Sequence, residues 1–173
     1  MRWCHAFLIL FLPVASMAQT VASPVSGKGV GLGVAGGLAY NATTLQGFNT
    51  FKDKASHAWG FFVDIPLLTT FYISPSAMLY ETNLGKGKQP VTDIDLNFKF
   101  IAPVWKMKLG VGVLGGVSNA EGAYRGHFGG LGYVSYNVFA NIDVFAMMQY
   151  KYLVRVHQDT HNLHTFLGGM FYF

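Results

Sequence analysis

The chain has 173 residues, of which 51% are hydrophobic, 16% aromatic and only 12% charged. That is length enough for one domain with a real core, but the charged share is half the roughly 25% of an ordinary soluble domain. The formal net charge of +4 is small and scattered, which argues against nucleic acid as a partner. Beyond the first twenty residues no stretch is long and apolar enough for a membrane-spanning helix. Such a chain has two outlets: an unusually apolar soluble β fold, or a membrane barrel whose lipid-facing residues occupy alternate positions.

Residues 1–18 read as a signal peptide, with Arg2 as the positive start, Ala6 to Val14 as the apolar core and Ser16-Met17-Ala18 as a small-x-small cleavage site. The only cysteine, Cys4, lies inside it, so the mature chain has no thiol or disulfide chemistry. Residues 19–27 are small and polar and read as a flexible lead-in. A barrel domain is expected over 28–173.

The first strand sets Val30, Leu32, Val34, Leu38 and Tyr40 on one face and Gly29, Gly31, Gly33, Ala35, Gly37 and Ala39 on the other. Glycine weakens strands, but a narrow barrel needs small inward residues where large ones cross the lumen. A polar loop is expected over 41–57. The second strand alternates Trp59, Phe61, Val63 and Ile65 with Gly60, Phe62 and Asp64, and Pro66 opens a tight turn. The third, from about Thr70 to Glu81, points Phe71, Ile73, Ala77 and Leu79 outward and Ser74, Ser76 and Tyr80 inward. Pro75 costs it a ladder bond and suggests a bulge.

After a second loop at 82–91, Ile94, Leu96, Phe98 and Phe100 alternate with Asp93, Asp95, Asn97 and Lys99. That alternation fits lipid and lumen, or core and solvent, equally well. Residues Ala102 to Trp105 read as a turn. The fifth strand sets Met107, Leu109, Val111 and Val113 against Lys106, Lys108, Gly110 and Gly112, and a third loop is expected at 118–126. The sixth strand sets Val134, Tyr136 and Val138 against Tyr133, Ser135 and Asn137, with a turn at Ala140-Asn141. The seventh, expected to be the longest, sets Ile142, Val144, Ala146, Met148, Tyr150, Tyr152 and Val154 against Asp143, Met147, Gln149, Lys151 and Arg155. A short loop at 157–161 leads to the last strand, whose apolar set is Leu163, Thr165, Leu167, Gly169, Phe171 and Phe173.

The pattern therefore predicts an all-β fold, an eight-stranded antiparallel up-and-down transmembrane β-barrel, with long loops at one end and short turns at the other. Aromatic residues sort to the two ends: Tyr40, Trp59, Tyr150 and Tyr152 at one, and Phe71, Phe100, Trp105, Tyr136, Phe171 and Phe173 at the other. These are the expected interfacial girdles. A soluble lipocalin-like barrel is the remaining alternative.

Gly29 to Leu38, the segment Trp59 to Leu67, the strand Asp93 to Phe100 and the closing Gly168 to Phe173 together resemble the small eight-stranded outer-membrane barrels. These are the OmpX and OmpA transmembrane-domain type and the wider outer membrane protein β-barrel domain family. The resemblance covers essentially the whole mature chain and speaks for architecture rather than activity. It implies a Gram-negative outer-membrane location, export through the signal peptide, outer-membrane lipid as surroundings, a monomer, and insertion by the barrel assembly machinery. It also implies that Phe171 and Phe173 serve as the assembly signal. The expected role is structural or surface-interacting, with contacts through the loops and a largely filled polar lumen. The alternative is a narrow channel for ions or small solutes, and a lipid A-modifying enzyme is a minor one.

By parity the lumen holds Asp64, Asp93, Asp95, Lys99, Lys108, Asp143, Gln149, Lys151 and Arg155. Acids and bases are nearly balanced, so pairing across a filled interior is expected. His157, His161 and His164, with His57 and His127 toward the rim, match no metal-binding spacing, and no metal or cofactor is expected. Enzymes of the resembling type that cut lipid A acyl chains use a His-x-Ser pair, which is absent here. Ser74, Ser76 and Ser135 show no histidine and acid partners in the sequence, so no catalytic residue is expected.

Overall fold

Inward and outward residues alternate along every strand of the computed structural model, which describes residues 29–43, 55–83, 88–120, 122–153 and 160–173. The strands are β1 (Gly31–Thr43), β2 (Ser56–Pro66), β3 (Phe71–Asn83), β4 (Lys88–Val104), β5 (Met107–Ala120), β6 (Ala123–Phe139), β7 (Ile142–Leu153) and β8 (Thr160–Tyr172). Each pairs antiparallel with the next, and β1 closes on β8 from Gly31↔Tyr172 to Thr43↔Thr160, giving a closed eight-stranded barrel. Closure leaves no strand edge unpaired. The proposed signal peptide and lead-in, and Arg155 and His157, lie outside the described residues.

The outer wall is apolar: Val34, Ile94, Val111, Val113 and Leu167 are all more than half exposed. The inner wall is mixed. Small residues on β1 and β2 make room for large ones from β2 and β8. A methyl group added at Gly33 would lie 2.8 Å from the Met170 terminal carbon, and one at Gly60 would lie 2.5 Å from the Phe62 ring. The glycine face of β1 is therefore filled by its neighbours, not left as a cavity. Phe62 meets Phe145 and Phe166 edge-on at 5.6 Å each, and Phe145 stacks on Tyr133 at 5.6 Å. This aromatic block joins strands from several sides of the lumen.

Several connections differ from the sequence expectation. The third expected loop, 118–126, is largely strand, because ladder pairing continues past the apolar belt; of the first two, residues 41–43 and 56–57 and residues 82–83 and 88–91 are strand, and 44–54 and 84–87 lie outside the described residues. β5 and β6 are joined by Glu121-Gly122 alone, with Ala120↔Ala123 as the last pair and Gly122 at φ 83°. Two-residue hairpins favour this left-handed backbone, which glycine adopts without cost. At the other end β4 runs to Val104, so the turn is Trp105-Lys106, not Ala102–Trp105, and Trp105 adopts φ 60°. Pro66 ends β2 instead of opening the turn, and His161 belongs to β8. The longest strands are β4 and β6, at 17 residues each; β7 has 12. Pro75 makes no bulge. The β2–β3 ladder skips the two pairs opposite Ser74 and Pro75, then resumes in unchanged register at Ile65↔Ile73. Proline removes a donor without adding a residue. The register shift falls instead between Asn137 and Phe139.

Candidate functional site: the polar lumen

The parity that turns Ile94, Leu96 and Phe98 outward turns Asp93, Asp95, Asn97 and Lys99 inward, all of them buried. Charges held there must find partners or carry a large desolvation cost. They find them in two tiers. Toward the end carrying both Gly31 and Tyr172, Lys99 bonds Asp64, which also accepts from Ser74 Oγ at 2.6 Å. Lys108 bonds Asp143 at 2.6 Å, and Asn137 donates to the same carboxylate at 2.8 Å. Lys99 lies 4.7 Å from the centre of the Tyr133 ring and Lys108 5.0 Å from that of Tyr172, so each ammonium also meets an aromatic face. Between the tiers Gln149 donates to Asn97 Oδ1 at 3.3 Å, and Asn97 donates to Ser76 Oγ at 2.9 Å.

The second tier is built around Lys151. Its ammonium donates to Asp93 Oδ2 and Asp95 Oδ2 at 2.7 Å each, and the Tyr80 hydroxyl donates to Asp93 Oδ1 at 3.2 Å. Asp95 Oδ1 also meets His127 Nε2, and His127 Nδ1 lies 2.9 Å from Ser118 Oγ. A carboxylate only accepts, so Nε2 carries the hydrogen. The register explains the contact. Asp95 pairs with Gly116, and Gly116 pairs with His127, so the three share one rung across β4, β5 and β6. A side chain on Gly116 would begin 2.5 Å from the Asp95 carboxylate. Glycine there opens the path between acid and imidazole.

The eight described members of the sequence-derived polar set all face the lumen, and seven of them form three ion-pair groups. Sequence reasoning turned Tyr80, Asn97 and Tyr133 inward without counting them in the polar network, and left out Ser118 and His127. It put His127 at the rim, whereas the ring is buried in the second tier. The other histidines scatter. His57 is exposed, and His161 faces outward beside Tyr152 and bonds Tyr150. His164 is fully buried, 4.6 Å from the Tyr80 ring centre.

Asp93, Asp95 and His127 converge closely enough to hold a metal ion. The ammonium of Lys151 already bonds both carboxylates, so a metal would have to displace it. Ser118, His127 and Asp95 also follow the hydrogen-bond order of an acyl-transfer relay. However, Asp95 is shared with Lys151, and the backbone at Ser118 is in ladders on both sides. A hydrolytic site needs amide donors turned toward an oxyanion. The arrangement is a cross-linked polar filling whose bonds join strands far apart around the barrel.

No protein-family model matches the sequence, and no curated protein matches it. Solved structures do. Neisserial surface protein A superposes with a TM-score of 0.61 at 14% identity, over 82% of this chain and 97% of that one. Ail, the attachment invasion locus protein of Yersinia pestis, solved with the heparin analogue sucrose octasulfate, superposes with a TM-score of 0.50 at 11% identity, over 82% and 99%. At such identities the likeness is one of fold. With the closed ladder and the apolar outer wall, it gives the chain the fold of the small eight-stranded outer-membrane β-barrel proteins.

Proposed function

We propose that the protein is a monomeric outer-membrane barrel of a Gram-negative envelope, exported through residues 1–18, with a structural or surface-interacting role and a lumen closed to solutes. The observation that carries the closed lumen is the tie between β4 and β7, strands that do not neighbour each other. Lys151 joins Asp93 and Asp95, and Gln149 joins Asn97, across the interior. With the Phe62–Phe145–Phe166 block beside them, these groups occupy the cross-section a solute would need. An eight-stranded barrel has room only for side chains or one small ligand. Surface contacts would involve the loops expected at 41–57 and 82–91, parts of which lie outside the described residues; the third, expected at 118–126, is a tight hairpin. The protein reconstituted in planar bilayers should show no steady conductance. Sustained openings at neutral pH would replace this reading with the narrow-channel one. Lipid A from expressing cells should keep its mass, and a lost or added acyl chain would point to an enzyme.

The proposal extends to Phe171 and Phe173 as the assembly signal. The Phe173 backbone bonds Val30 and Gly29, while its ring is 70% exposed. Phe173→Ala therefore keeps the closing hydrogen bonds and removes only an outward ring. Assembly in cells should fall severalfold while the stability of the refolded barrel stays within about 1 kcal/mol. Equal losses in both would make the ring a packing group only.

A further inference from the structure

Above the Lys151 tier, toward the end where β1 reaches Thr43, a recess of about 30 Å³ opens between Tyr80, Ser118, Arg125, Thr160 and Asn162. Three of its polar atoms have no hydrogen-bond partner among the described residues: Arg125 Nη1, Thr160 Oγ1 and Asn162 Oδ1. Thr160 and Asn162 are only 5% and 3% exposed, so water outside does not serve them. Native structures rarely leave such groups unsatisfied. The deficits have a definite chemistry. Arg125 offers a charged donor. Asn162 Nδ2 donates to Tyr80, whose own proton goes to Asp93, so the amide oxygen is left needing a donor. Thr160 gives or accepts.

Among the described residues no carboxylate lines the recess. Asp93 and Asp95 below it are already bonded to Lys151 and His127. A water molecule would satisfy the amide and hydroxyl but would bring no negative charge to the half-buried guanidinium, whereas an oxyanion meets all three groups. We propose that this recess binds a small oxyanion that also carries a hydrogen-bond donor, the chemistry of a monoprotonated phosphate group. Its anionic oxygen accepts from Arg125 and Thr160, and its P–OH donates to Asn162 Oδ1. The volume holds one such group and no more. A larger ligand therefore enters end-on, with the rest of it outside.

The test is titration calorimetry on the protein purified from membranes in phosphate-free detergent, with inorganic phosphate, glycerol 3-phosphate and glycerol as probes. Phosphate, its ester or both should bind saturably, and glycerol should not. Binding of inorganic phosphate alone assigns the site to the free ion, and binding of the ester assigns it to an esterified headgroup. Arg125→Gln should weaken binding about tenfold or more, and Arg125→Lys should restore part of it. The ester should bind more tightly at about pH 5.5 than at about pH 7.5, since its second proton leaves near pH ~6. Asn162→Leu should flatten that dependence. Heat-modifiable migration confirms that each variant is folded. Absence of saturable binding to the folded barrel would leave water as the occupant and overturn the proposal. Glycerol binding as well as its phosphate, or an unchanged affinity in Arg125→Gln, would do the same.

Discussion

Lys151→Met should cost the barrel about 3–5 kcal/mol, the range found when one partner of a buried ion pair is removed. The substitution keeps most of the side-chain volume, so packing loss is small. It leaves Asp93 and Asp95, both buried, without their shared ammonium. His127 remains for Asp95 and Tyr80 for Asp93, but neither replaces the bridge between the two acids. Urea unfolding of the protein refolded into lipid vesicles measures the loss. The triple variant Lys151→Met, Asp93→Asn, Asp95→Asn should recover most of it, because no uncompensated charge is left. A single variant as stable as the parent would mean that water reaches the tier and that the lumen is not a dry filling. That outcome would also weaken the closed-lumen reading.

Val111→Arg should cost about 2–4 kcal/mol in a bilayer, the range for a cation placed mid-membrane on the lipid face of a barrel. Val111 lies mid-strand on β5, faces outward and is 65% exposed. It has no inward neighbour to lose. In a soluble barrel the same change would sit on a wet surface and fall within about ±0.5 kcal/mol. One measurement, unfolding in lipid vesicles, therefore separates the membrane barrel from the lipocalin-like alternative. A near-zero effect would sink the membrane reading whatever the fold.

The facing of nearly every described residue could be read from the sequence, and the contacts could not. A period of two needs only the residue types along one strand: Ile94 to Phe100 sorts itself into apolar and polar sets without reference to a partner. Contacts depend on register, and register is set by the turns. With the turn placed at Ala102–Trp105 and a loop at 118–126, Gly116 has no assigned neighbours. With the observed two-residue turns at Trp105-Lys106 and Glu121-Gly122, counting back along the hairpins puts Asp95, Gly116 and His127 on one rung. The signal was the glycine of Glu121-Gly122, which suits a tight hairpin, read instead as part of a loop. Arg125 was read only as a loop residue for the same reason: inside a supposed loop it had no facing.

The ion pairs of the second tier join residues 58 and 56 positions apart, Lys151 with Asp93 and Asp95. Neither neighbours the other's strand, so these bonds form only when the last hairpin docks. Until then the acids of β4 keep their water. Dehydration of the interior and closure of the barrel are thus a single event in assembly. With the lumen closed as proposed, a partly built sheet is a wet, charged trough, and only the finished barrel has a dry inside.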